Sequence, residues 1–230
     1  MVASALTLVC AVAAGVAGSA AGTELTRGPS AAELRAASVR EVADRWRAWP
    51  AGRVFPVGLP YAAEQGGQER AKRIGISPET GCGDESVDAK AVGALRAAGC
   101  LGVLRATYID ALRGVLVTIG VVALPDEPRA AQARSAFADN GKPVPGVRPL
   151  AFRGTVAERF TSAMRQAGSV RQSGPYVVLT TAGQVDGRPA STAGEPRPSI
   201  FAFATELSER VLADLSTPRM PDCAAKEWRC

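Results

Sequence analysis

LGVLRATYID (residues 101–110) and VLVTIGVVAL (residues 115–124) are two strand-length apolar runs joined by Ala111-Leu112-Arg113-Gly114. Alternation in the second run puts Val115, Val117, Ile119, Val121 and Ala123 on one face. Leu116, Thr118, Gly120, Val122 and Leu124 fall on the other. Both faces are apolar, so this strand is expected to be central and covered on both sides. The residues before it read as a helix over 85–98, with Val87, Ala91, Val92 and Leu95 inward and Gly99 ending it.

Working outward, Pro125-Asp126-Glu127-Pro128 opens a helix expected to reach about Ala138, its acids complementing the dipole. A proline-rich connector over 142–149 follows, then a strand expected over 147–152 and a capped helix from Thr155 toward Met164. Tyr176 to Thr181 reads as a strand, 183–198 as a Gly/Pro/Arg-rich loop and 200–215 as a closing amphipathic helix. On the N-terminal side, Ser30 and Glu33 form a capping box. The helix it opens carries Leu34, Ser38, Val42, Trp46 and Trp49 at helical spacing and stops before Pro50. The two tryptophans fit packing on the domain or an anchor at a lipid interface. Residues 53–59 read as a short extended stretch, and 61–80 has no clear period. The expected class is α+β, helices on a mostly antiparallel sheet, with ferredoxin-like topology the nearest common type.

No charged side chain occurs in the first 22 residues, where Leu6, Leu8, Val9, Val12 and Val16 sit among Ala and Gly. The run is long enough to cross a bilayer, and the small residues Gly18 to Ala21 suit a signal peptidase. A retained single span, a cleaved signal and a buried helix are the three readings. The span leads, with the following domain outside the cell and a secreted product if the leader is cut. The absent basic flank places the expected start upstream, and the arginines after the run weigh against an outside domain. The resulting division is 1–23 as transmembrane or signal segment, 24–50 as amphipathic helix, 51–217 as extracytoplasmic domain and 218–230 as a Cys-containing tail.

The 230 residues are 47% apolar and 21% charged, the balance of a folded chain. Lys occurs only at positions 72, 90, 142 and 226, so Arg supplies nearly all 27 basic residues. They are spread along the chain. A net charge of +5 without a basic stripe speaks against nucleic acid as partner. There is no histidine, which removes Ser-His-Asp and Cys-His catalysis, H-E-x-x-H zinc sites and the usual general base near neutral pH. No phosphate loop, dinucleotide fingerprint or nucleophile elbow is present. No catalytic residue and no cofactor is therefore expected.

Cys82 precedes the helix over 85–98 and Cys100 follows it, so a disulfide between them would staple that helix to the next strand. Cys223 and Cys230 would close a short loop in the tail, with free buried thiols the alternative in both cases. Asp84, Glu85 and Asp88 suit a helix N-terminus better than a cation. Arg105, Tyr108 and Asp110 lie on one strand, Tyr108 and Asp110 sharing a face and Arg105 on the other. They read as a polar cleft or as edge and cross-strand residues. Asp186-Gly187-Arg188 marks an exposed turn able to touch a partner.

Arg53-Val54-Phe55-Pro56, Ile74-Gly75-Ile76, Cys82, Gly99-Cys100, the run Leu104 to Tyr108 and Thr118-Ile119-Gly120-Val121 together resemble uncharacterised membrane-anchored exported proteins of high-GC actinobacteria. Gly174-Pro175-Tyr176 and Asp186-Gly187-Arg188 are similar as well. The resemblance implies one N-terminal span, a small extracytoplasmic domain and a supporting role at the cell envelope, with no enzyme activity attached. The expected function is a non-catalytic, membrane-tethered module that binds a membrane or envelope protein or an envelope component. The alternative is a His-independent enzyme or small-ligand receptor using a polar cleft.

Overall fold

A computed structural model describes residues 27–188 and 198–219. These fall into two units, 27–38 and 39–188 with 198–219. In the first, Ser30 and Glu33 form the capping box: the Ser30 N–H donates to Glu33 Oε2 (2.7 Å) and the Glu33 N–H to Ser30 Oγ (3.3 Å). The box opens helix α1 (Ala31–Ala48). No described helix is long and apolar enough to cross a membrane, and the leader lies outside the described residues.

The second unit is built on one six-stranded sheet: β1 (Gly58–Ala62), β2 (Gln68–Ile76), β3 (Gly102–Ile109), β4 (Val115–Ala123), β5 (Ala167–Ser173) and β6 (Tyr176–Gln184). Every pairing is antiparallel and the order is β1-β2-β3-β4-β6-β5. The first four strands form a meander. The chain then crosses to the far edge and returns through a tight turn at Gly174 (φ 53°) and Pro175, so that β6 lies against β4. This order is not the β-α-β-β-α-β pattern of a ferredoxin-like fold. The correction comes from β1, β2 and β5, three strands with no strong apolar period of their own.

Helices cover both faces. They are α2 (Ala51–Val54), α3 (Ala89–Ala97), α4 (Glu127–Arg134) and α5 (Ala202–Ser216). Val115, Val117, Ile119, Val121 and Ala123 of β4 pack with Val42 of α1, Val54 of α2 and Leu207, Val211 and Leu215 of α5. Val122 and Leu124 pack on the other side with Ala91 and Leu95 of α3 and Ala130 and Ala133 of α4. The expected two-sided burial of β4 holds for all nine of its residues. Trp46 and Trp49 pack against the first of these cores. Helix α5 touches both β1 and β5, the two opposite edges, so the sheet curls around it.

Several boundaries differ from expectation for local reasons. Helix α3 begins at Ala89 because Val87 bridges to Val147 instead. Helix α4 stops at Arg134, and 155–164 holds turns and one 3-10 turn (Ser162–Met164). Residues 147–152 lie on the sheet rather than in it. Pro149 has no N–H to give a ladder, and Thr107 and Thr118, both fully buried on the strand face, take over: Thr107 Oγ1 donates to Leu150 O (2.7 Å) and Leu150 N–H to Thr118 Oγ1 (3.0 Å).

Candidate functional site

Cys82 and Cys100 are bonded, S–S 2.07 Å with Cα atoms 6.3 Å apart, which ties the loop before α3 to the residue pair that leads into β3. Cys223 and Cys230 lie outside the described residues. Arg105, Tyr108 and Asp110 do not converge. Arg105, 4% exposed, donates from Nη1 to Glu85 O (2.8 Å) and holds the 77–88 loop on the sheet. Burial lowers its pKa; Glu79 and Glu85 oppose that shift and Arg148 adds to it. Tyr108 points to the opposite face, where its hydroxyl donates to Pro56 O (2.8 Å) and burial raises its pKa. Asp110 Oδ1 accepts from the N–H groups of Gly114 (2.8 Å) and Val115 (2.7 Å), closing the β3–β4 turn. The three side chains do not share one cleft; each holds a different part of the scaffold.

Asp186 and Arg188 form an exposed ion pair at 2.6 Å, and the Arg188 N–H followed by its side chain lowers the Asp186 pKa. Of the acids near Cys82, Asp88 pairs with Arg165, and Glu85 Oε1 accepts from Gly83 N–H (3.1 Å). Among the described residues no three His, Cys, Asp or Glu side chains come together to hold a metal.

A concave feature among the described residues lies elsewhere. A cavity of about 390 Å³ opens between the start of β5, the 140–143 loop and the first turn of α5. Small residues make it. A Cβ on Gly168 would stand 2.8 Å from Pro143 Cα and 2.9 Å from Lys142 O, so only glycine lets the loop cross the strand this closely, with Gly168 N–H donating to Gly141 O (3.0 Å). Ala167, Ala202 and Ala204 leave the rest open, while Phe201 and Thr180 supply a buried apolar and a buried hydroxyl wall. Thr180 is already paired with Ser169, Oγ1 to Oγ at 2.7 Å. Gln166 lines the cavity, and its Nε2 is buried with no hydrogen-bond partner.

Protein-family models, curated proteins and solved structures give no match to this chain. The site must be argued from its own chemistry. Its lining offers amide, hydroxyl and ammonium groups beside apolar carbon, and it holds no carboxylate, thiol or imidazole. Sequence reasoning missed this place because its walls come from four separate segments, the 140–143 loop, the start of β5, Thr180 of β6 and the start of α5.

Proposed function

We propose that this chain is an exported, membrane-tethered module without a catalytic role that binds an envelope protein or another envelope component. The observation that carries the reading is the Cys82–Cys100 disulfide, a bond that persists in oxidising compartments. It agrees with an uncharged leader suited to export. The polar residues of β3 support the non-catalytic part, because Arg105, Tyr108 and Asp110 are occupied in holding loops and turns.

Two measurements test it. Alkylation of native protein without reductant, followed by mass mapping, should leave Cys82 and Cys100 unlabelled; labelling of both would remove the basis for export. Crosslinking in intact membranes should then recover a reproducible protein or wall-polymer partner, and recovery of the chain alone under saturating crosslinker counts against the binding role.

A further inference from the structure

Two surface turns of the chain share one geometry. Asn140 and Asp186 are both exposed, and each is followed by a glycine with φ 79°. Each side chain folds back on the turn it opens: Asn140 Oδ1 accepts from Lys142 N–H (3.2 Å), and Asp186 Oδ1 accepts from Arg188 N–H (3.1 Å). A glycine leaves the nitrogen after the side chain unshielded by any Cβ. Among the described residues, neither Gly141 N–H nor Gly187 N–H donates a hydrogen bond.

The two turns differ in what the side chain can expel. Asp186 is held as a carboxylate: the Arg188 N–H and then its side chain, Nε to Oδ2 at 2.6 Å, lower its pKa. An ionised carboxylate repels a nucleophile and has no neutral group to release. Asn140, the only asparagine of the sequence, carries a neutral amide that leaves as ammonia. Its carbonyl oxygen already faces a donor, Lys142 N–H, at the atom where negative charge develops during attack.

We propose that Asn140–Gly141 is a self-modification site, at which residue 140 deamidates through a cyclic imide. The Gly141 nitrogen gives its proton to hydroxide and bonds to Asn140 Cγ. The bond from Cγ to the side-chain nitrogen breaks, and that nitrogen leaves as ammonia with a proton from water. One water then opens the imide. Attack at Cγ leaves aspartate; attack at the main-chain carbonyl leaves isoaspartate, whose backbone runs through Cβ. Nothing is oxidised or reduced. Both products place a negative charge next to Lys142. Isoaspartate also lengthens the backbone just before Gly141, whose carbonyl accepts from Gly168 N–H (3.0 Å) where the loop crosses β5. The modification therefore loosens that crossing. It needs only water, so it stands apart from the export reading above.

The test incubates the full-length chain in neutral detergent and mildly alkaline buffer, followed by peptide mapping that separates aspartate from isoaspartate. Ammonia should be released, and both products should accumulate at 140 while residue 186 stays unchanged. Asn140→Gln, which must close a six-membered ring, should convert at least about ten-fold more slowly. Amide exchange at Gly168 should quicken in the isoaspartate fraction. It should stay slow in freshly prepared Asn140→Asp, which has the charge without the longer backbone. The proposal is overturned if Asn140 stays intact while a peptide of residues 136–146 converts in the same buffer. Isoaspartate forming at 186 as fast as at 140 overturns it as well.

Discussion

Arg165 and Asp88 face each other as a two-point ion pair, Nη1 to Oδ2 and Nη2 to Oδ1 both at 2.9 Å, across 77 residues of sequence. Arg165 Nη1 also reaches Pro143 O (3.2 Å), and Asp88 Oδ2 accepts from Gly146 N–H (2.8 Å). The pair therefore fastens the start of α3, the 143–147 crossing and the approach to β5 together. Both side chains are largely buried, so removing one leaves the other charge uncompensated. Arg165→Met should lower unfolding free energy by about 3 kcal/mol. Urea denaturation of the full chain checks this, and the double variant with Asp88→Asn should lose less than the sum of the two single changes.

Arg45 is fully buried, pairs with Glu41 through Nη2 and Oε2 at 2.5 Å and donates to three carbonyls at the end of α5. It joins α1 to α5 where the last carbonyls of a helix lack partners of their own. Arg45→Met should cost about 3 kcal/mol. Two residues on, Arg47 pairs with Asp44 at the surface, and Arg47→Met should stay within about 0.5 kcal/mol. Equal losses for the two variants in the same denaturation assay would refute the distinction.

These two arginines also show where reading residues in order runs out. Strands β3 and β4 were legible because a covered central strand writes its burial into every position. β2 is not, since Glu69, Arg70, Lys72 and Arg73 place charge along a half-covered strand. β5 buries only Val170, and β1 is short with Pro60 in its middle, as edge strands are. The ferredoxin-like expectation fails at these three strands. Arg105 was singled out by type and its face was right. Its use could not be read, because the acceptor is a backbone carbonyl 20 residues away. The cavity is less legible still: it exists only once β5 has paired with β6 and the 140–143 loop has crossed it.

The disulfide closes a sequence separation of 18 residues around α3. Restricting the unfolded chain over a loop of that size is worth about 3 kcal/mol. The paired change of Cys82→Ser and Cys100→Ser should lower stability by that amount, and it leaves the other cysteines of the chain untouched. The 77–88 loop should nonetheless keep its place, since Arg105 holds Glu85 O and Arg148 holds Asp84 O, both at 2.8 Å. Hydrogen exchange should rise near residues 80–83 and remain slow at Val103, whose N–H donates to Thr80 O from within the sheet. Exchange at Val103 as fast as at the loop would show the bond to be the loop's main support.

All three tyrosines of the chain should ionise late. Burial, then the hydrogen bond to Glu69, pushes Tyr61 up to about 12. Burial alone dominates at Tyr176, pushed up to about 12, whose hydroxyl donates to Val42 O (2.6 Å) and accepts from Trp46 N–H (3.2 Å). Tyr108 is raised by burial as well. A folded-state pKa above the ordinary 10.0 means that the stabilisation is complete below pH 10 and lost as pH rises through about 12. Phenolate absorbance of the folded chain should therefore show no transition near pH 10. A single cooperative rise should come instead toward pH 12, together with loss of structure by circular dichroism. A separate ionisation step near pH 10, with structure intact, would place at least one of these hydroxyls in water and contradict its hydrogen bond.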